Sequence, residues 1–245
     1  MIDQSRLAGS TLPGLLLERA RRTPERVAYR AKTLGIYRET TWRALAERVT
    51  KVALALRGRG LRPGETVAIM GHACPEWTIA DLAVQAAGGV SYGIYPTVAP
   101  AELALLLGHG GARFMVVEDQ EYLDRVLAVW PTCPGLEAVF VVDTRALFMY
   151  RDPRVVPFAR LEEQGGTLEE LERLAAAVRP EDPATIVYTS GTTGDPKGAV
   201  LLHGRHVAAA ANMVAHYPAL AEGEHRVVAF LPLSHVMGRN VTITL

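Results

Sequence analysis

The sequence predicts an α/β fold in which largely parallel sheets are flanked by helices. Short apolar runs alternate with helical segments from residue 63 onward, and strands separated by helices call for a parallel sheet covered on both faces. The chain has 245 residues, 49% of them apolar, enough for one large or two smaller cores. No internal repeat or low-complexity tract interrupts the pattern.

Taken in order, Thr11-Leu-Pro13 opens a helix with an N-cap followed by an early proline, carried on by Leu15 to Arg22. Val27 to Arg30 and Ile36 to Thr40 read as short strands around a turn at Gly35, able to pair as a hairpin. Thr41 caps a helix through Leu56, whose apolar positions Trp42, Leu45, Val49, Val52 and Leu56 recur at steps of three and four. Gly58-Arg-Gly60 ends it. The alternation then runs Thr66 to Met70 strand, Pro75 to Gln85 helix, Val90 to Tyr95 strand, Pro100 to Leu107 helix. It continues with Arg113 to Val117 strand, Glu121 to Val129 helix and Leu136 to Val142 strand.

Arg151 to Gly166 mixes prolines, glycines and charges, which predicts a surface loop. Thr167 caps a helix through Val178, with glutamates in its first turns where the helix dipole favours them. Arg179-Pro-Glu-Asp-Pro183 breaks that helix and leads into a strand over Ala184 to Tyr188. Beyond residue 198 the pattern predicts a strand over Ala199 to Leu202, an alanine-rich helix from His203 to His216 and a strand from Val227 to Leu231.

Bulk properties narrow the function classes. Twenty-six basic and 26 acidic residues cancel, leaving no electrostatic footprint for nucleic acid. Cys74 and Cys133 have no metal-ligand spacing and need no disulfide. The first residues lack a signal-peptide core, and no run approaches the ~20 apolar residues of a membrane span. A soluble, cytoplasmic protein is expected. Val241-Thr-Ile-Thr-Leu245 stops inside an apolar run, which predicts that the chain is part of a longer protein.

The chemistry concentrates in Tyr188-Thr-Ser-Gly-Thr-Thr-Gly-Asp-Pro-Lys197-Gly198. Glycines let backbone amides approach an anion closely. Ser190, Thr192 and Thr193 add hydroxyl donors and Lys197 adds a full positive charge. This is a polyphosphate cradle in outline. It is not the P-loop, which has four residues between its glycines and then Lys-Ser or Lys-Thr; here Gly191 and Gly194 enclose two, and Gly198 follows Lys197. A long polar hairpin loop with an incidental lysine is the plain alternative.

That string resembles the signature loop of the adenylate-forming superfamily, which includes acyl-CoA synthetases, luciferases and the adenylation domains of peptide synthetases. Pro75-Glu76-Trp77 and Tyr95-Pro96-Thr97 are similar to strings in long-chain acyl-CoA synthetases, and Leu231-Pro-Leu-Ser-His235 resembles the superfamily's substrate-pocket motif. The resemblance implies an N-terminal part of a synthetase, with stacked α/β sub-domains, an incomplete N-terminal domain and no C-terminal domain. Its implied division is residues 1–62 packing with the second sub-domain, 63–215 carrying the phosphate loop, and 216–245 beginning the second sub-domain.

Such enzymes join a carboxylate to the α-phosphate of ATP, release pyrophosphate and pass the acyl group to CoA. Thr189, Ser190, Gly191, Thr192, Thr193, Gly194 and Lys197 would then bind the ATP phosphates, with Mg2+ sharing the charge. Lys197 and His235 would be the catalytic pair, His235 beside the acyl carboxylate; a helix cap or a core hydrogen bond is its other reading. Relatives often carry a glutamate-arginine pair after the histidine, where this chain has Gly238-Arg239. Arg239 fits that pattern and Gly238 departs from it. The implied substrates are a long-chain fatty acid, ATP and CoA; an aryl or short-chain acid, or a non-catalytic nucleotide-binding module, are the alternatives. No metal ligands are assigned, and peripheral membrane contact or a homodimer stays open. His203 and His206 are spaced to share a metal, but a solvated helix face is expected, and Trp42, Trp77 and Trp130 should anchor the core.

Overall fold

The computed structural model describes residues 10–189, 196–223, 225–240 and 242. Thr11 accepts the Gly14 amide and caps helix α1, Leu12–Arg22. Strands β1, Val27–Thr33, and β2, Ile36–Thr41, pair as an antiparallel two-stranded sheet, the expected hairpin. Leu34 and Gly35 both take positive φ at its turn. Thr41 accepts the Ala44 amide to cap helix α2, Trp42–Gly58.

Strand β3, Thr66–Met70, then begins a doubly wound unit with helix α3, Pro75–Ala86, strand β4, Val90–Ile94, and helix α4, Pro100–His109. Strand β5, Ala112–Val117, helix α5, Gln120–Val129, and strand β6, Ala138–Val141, follow. Strand β7, Val155–Pro157, precedes helix α6, Leu168–Ala176, which Thr167 and Glu170 close with a reciprocal capping box. Strand β8, Pro183–Thr189, strand β9, Lys197–Leu202, and helix α7, His203–His216, complete the unit, and helix α8, Val236–Arg239, lies near the end.

Seven strands form one sheet in the order β7-β6-β5-β3-β4-β8-β9, every neighbour parallel except β8 and β9. The predicted α/β class holds. Successive residues of a strand face opposite sides, and here both sides are filled. Val67, Ile69, Phe114, Val116 and Phe140 pack among helices α1, α2, α3 and α6. Ala68, Met70, Tyr92, Met115, Val117 and Val139 pack on the other side with α4 and α5.

Charged side chains join the helices at their rims. The Arg48 guanidinium on α2 pairs with Glu162 at 2.7 Å and Glu76 at 2.9 Å and donates to the Tyr29 hydroxyl. Arg21 on α1 grips Glu172 on α6 through both terminal nitrogens, at 3.0 and 2.6 Å, a surface pair of small worth.

The structure corrects three expectations. Residues 151–166 are not all surface loop, because Val155–Pro157 extends the sheet beside β6 and Phe158 and Leu161 are buried in the helix-side core. Val227 to Leu231 form no strand; Val228 is 79% and Phe230 77% exposed. His203 and His206 do not lie on a solvated face but are 1% and 3% exposed, on the inner side of α7. Trp77 and Trp130 are buried as expected, and Trp42 is half-buried beneath the Arg19 guanidinium.

Phe140 sets the scale of the core. It is fully buried, meets Phe114 edge-on at 5.7 Å and lies under the Arg59 guanidinium at 5.3 Å. Phe140→Ala is expected to cost about 3–5 kcal/mol of unfolding free energy, read from urea unfolding curves.

Burial pushes both His203 and His206 down from an ordinary value of 6.5 to about 4, helped at His206 by the Arg239 guanidinium. Because these folded-state values lie below the unfolded ones, the unfolded chain takes up protons first as pH falls. Stability is therefore complete above pH 6.5 and is lost as the pH drops towards 4, by roughly 1.4 kcal/mol per pH unit for each histidine. His203→Gln should flatten that fall, measured as the urea midpoint at pH 7 and pH 5.

Candidate active site

The signature loop hangs from the β8–β9 hairpin. Its ladder runs from Pro183↔Leu202 to Thr189↔Lys197, so the last described pair is Thr189 opposite Lys197. Directly opposed residues share a face, with Cβ atoms roughly 5 Å apart. Both side chains are exposed. One hydroxyl and one ammonium thus stand side by side at the mouth of the loop. Ser190, Gly191, Thr192, Thr193 and Gly194 lie outside the described residues.

The opposite face of the hairpin is anchored. Tyr188 is buried, its ring edge-on to Tyr92 at 5.6 Å and to His109 at 5.7 Å, with its hydroxyl 2.9 Å from His109 Nδ1. Gly198 allows this packing, since a Cβ there would lie 2.8 Å from Ile186 Cγ2 and 3.3 Å from the Tyr188 ring. The glycine after the lysine is therefore a packing residue, whereas Lys197 itself reaches solvent.

His235 is the N-cap of α8: its Nδ1 accepts the Met237 amide at 3.1 Å, and the side chain is exposed. The cap reading is the one the geometry displays, and it fixes the ring's chemistry. An accepting Nδ1 leaves the proton of the neutral ring on Nε2, so His235 offers an N–H donor outward. Gly238 also gains an account, because a Cβ there would run into the Pro232 carbonyl oxygen. That position is closed to a side chain in this turn.

Beneath α8 lies a buried polar cluster that the sequence did not reveal. Arg239, 1% exposed, donates through Nη2 to both carboxylate oxygens of Asp81, 0% exposed, at 2.8 and 2.9 Å. Ser91 Oγ donates to Asp81 at 2.5 Å and Gln85 Nε2 at 2.9 Å. The Arg239 guanidinium lies 5.5 Å from the centre of the Trp77 ring. The one local hint was Asp81 and Gln85, four apart in the otherwise apolar run Ile79 to Ala86.

Open parallel sheets commonly bind ligands where the strand order reverses, here between the carboxyl ends of β3 and β5. That crevice is closed. Glu118 accepts the His72 amide at 2.7 Å and lies 3.0 Å from its Nδ1, and Gly71 is pressed so close that a Cβ would sit 2.7 Å from Glu118 Cβ. The space left among Ile69, Cys74, Trp77 and Val142 is about 10 Å³, room for one water at most. Among the described residues no group of three or more His, Cys, Asp or Glu converges to hold a metal ion, and no helix is long and apolar enough to cross a membrane.

The AMP-binding enzyme family model matches residues 16–245. A long-chain-fatty-acid–CoA ligase of Mycobacterium tuberculosis, FadD15, is 30% identical over 231 residues, covering 94% of this chain and 37% of that protein. The long-chain-fatty-acid–CoA ligase heimdall of Drosophila melanogaster is 31% identical over 194 residues, covering 78% of this chain and 28% of its own length. The chain thus spans between 28% and 37% of the length of these relatives. In fold it is similar to acetoacetyl-CoA synthetase from Streptomyces lividans, with a TM-score of 0.79 at 20% identity over 96% of this chain and 37% of that one. The anthranilate CoA ligase AuaEII, solved with anthranoyl-AMP, gives a TM-score of 0.70 at 25% identity over 83% and 37% of the two chains. With the family model matching nearly the whole sequence, this chain belongs to the AMP-binding enzyme family.

Proposed function

We propose that the chain is the N-terminal portion of an ATP-dependent acyl-CoA synthetase that activates a long-chain fatty acid as its acyl-adenylate and transfers it to CoA. The observation that carries the reading is the β8–β9 hairpin, which holds Thr189 and Lys197 in register at the two ends of the signature loop. In this reading residues 63–215 carry the phosphate loop, 1–62 pack with the second sub-domain, and 216–245 begin that sub-domain. The named relatives, which are long-chain-fatty-acid–CoA ligases, support the acid class, and the protein would work in the cytoplasm.

Each group has a physical task. Negative charge builds on the leaving pyrophosphate as the carboxylate attacks the α-phosphate. Lys197, fixed at the loop mouth rather than on a free tail, places its ammonium against that charge without reorganising in the transition state. Thr189, with Ser190, Thr192, Thr193 and the amides of Gly191 and Gly194, would donate to the phosphate oxygens. These donors suit an anion; Mg2+ carried on ATP would neutralise part of the phosphate charge when bound. His235 would direct its Nε2–H at an acyl carboxylate oxygen, holding it in line for attack.

The intact natural gene product tests this. Pyrophosphate release should depend on ATP, CoA and an acid drawn from a panel running from acetate to palmitate, with the longer acids preferred. No release with any of them rejects the assignment, and preference for a short or aryl acid moves it within the family. Lys197→Ala should slow adenylation about 10²- to 10³-fold, followed as single-turnover pyrophosphate formation; an unchanged rate removes the lysine from the mechanism.

A further inference from the structure

We infer that Asp81 is a positioning residue for the turn bearing His235, and through it for the acyl carboxylate. The inference rests on the role of His235 proposed above, but concerns a residue which that role does not use.

Residues 225–230 leading into the turn are exposed and form neither helix nor strand. Whatever fixes His235 must therefore come after them. Two contacts are steric. Gly93 in β4 lets the Ser234 backbone lie directly on the sheet, since a Cβ there would be 2.5 Å from Ser234 Cα, and Leu233 is buried. The His235 amide then donates to the Pro232 carbonyl at 3.0 Å, closing the turn. Such contacts set how near the turn sits, but they do not set its rotation.

The third contact is directional. Arg239 lies one helical turn beyond His235, its amide donating to the His235 carbonyl at 3.1 Å, and a helical turn advances about 5.4 Å. Its guanidinium reaches Asp81 on α3, 158 residues away in sequence. Asp81 is itself fixed, by Ser91 of β4 and Gln85 of α3. Turning α8 about its axis would separate the pair and strand two charges out of water, which is costly. Rotation of the cap is thereby tied to the core of the sheet.

The same geometry argues against a role in stability alone. Nε and Nη1 of Arg239 find no hydrogen-bond partner among the described residues, so one terminal nitrogen makes both contacts to the carboxylate. A buried ion pair can often be replaced by packed apolar groups at no loss of stability. What the apolar substitute lacks is direction, and a displacement near 1 Å at a reacting group can cost roughly 10²-fold in rate.

The test uses the intact ligase, pyrophosphate release with its best acid from the acetate-to-palmitate panel, and thermal unfolding. Asp81→Asn alone should lower the unfolding midpoint, because Arg239 keeps an unpaired buried charge. The double variant Asp81→Asn/Arg239→Met should recover the midpoint, yet keep kcat/KM for the acid at least about tenfold down with KM for ATP within about twofold of the original. Recovery of acid turnover together with the midpoint, or a parallel rise in KM for ATP, overturns the inference. His235→Ala separates it from the reading it rests on. If that variant keeps normal acid parameters, or the parent uses no acid in the panel, both fall. If His235→Ala loses acid turnover while the folded double variant matches the parent, only the role of Asp81 falls.

Discussion

A parallel sheet covered by helices on both faces excludes water from its middle, and every polar group placed there must find a partner inside the protein. Strands β3, β4 and β5 impose that rule on the whole unit. Their side chains are apolar almost throughout, and charges such as Arg48, Glu76 and Glu162 are confined to the rims. Where polar side chains do enter, they come as a set: Asp81, Gln85, Ser91 and Thr185 occupy neighbouring places on α3, β4 and β8. The carboxylate in that set needs an opposite charge, and Arg239 supplies it from far along the chain. The constraint that builds the core thus also recruits the segment after residue 230.

The same exclusion decides which polar groups reach solvent. With the β3–β5 crevice filled by Glu118, Gly71 and Trp77, a polyanion has no seat at the usual reversal point. The hairpin's end escapes the constraint: Thr189 and Lys197 are exposed, while Tyr188 and Ile186 secure the strand behind them against the core. Thr189 and Lys197 can then be both rigid in backbone and free to meet solvent.

Much of this was legible in the sequence, for a local reason. Thr66 to Met70 and Val90 to Ile94 are short apolar runs bounded by turn residues, and Thr11, Thr41 and Thr167 are caps whose partners lie three residues on. Val155–Pro157 was not legible: a strand this short, set among aspartate, arginine and proline, owes its existence to the edge of β6 rather than to its own propensity. Val227 to Leu231 erred the other way, since β-branched residues mark a strand only when a neighbour is there to pair. His203 and His206 looked polar by type, yet burial holds them neutral, and His203 Nδ1 accepts the Leu12 amide at 3.4 Å. The string from Tyr188 to Gly198 carried the family resemblance in consecutive residues, whereas the Asp81–Arg239 pair, 158 residues apart, left only the hint of two polar residues in an apolar helix.

The register between β4 and β8 has a consequence of its own. Where β3 meets β4 over Thr66 to Met70, β8 meets β4 only at Ser91↔Thr185 and Tyr92↔Ile186. Closing the chain between Ser91 and Thr185 spans a separation of 94 residues, about two doublings beyond the β3–β4 connection, which adds only roughly 1 kcal/mol of loop entropy. The hairpin is therefore not expensive to dock, but it is docked through a short seam. Opening that seam would leave the β8–β9 ladder intact while β3, β5 and β6 stay closed, so the amides that pair β8 with β4 would exchange with solvent ahead of those in the central strands. The end of the molecule that bears Thr189 and Lys197 is in this sense joined to the core through a short seam.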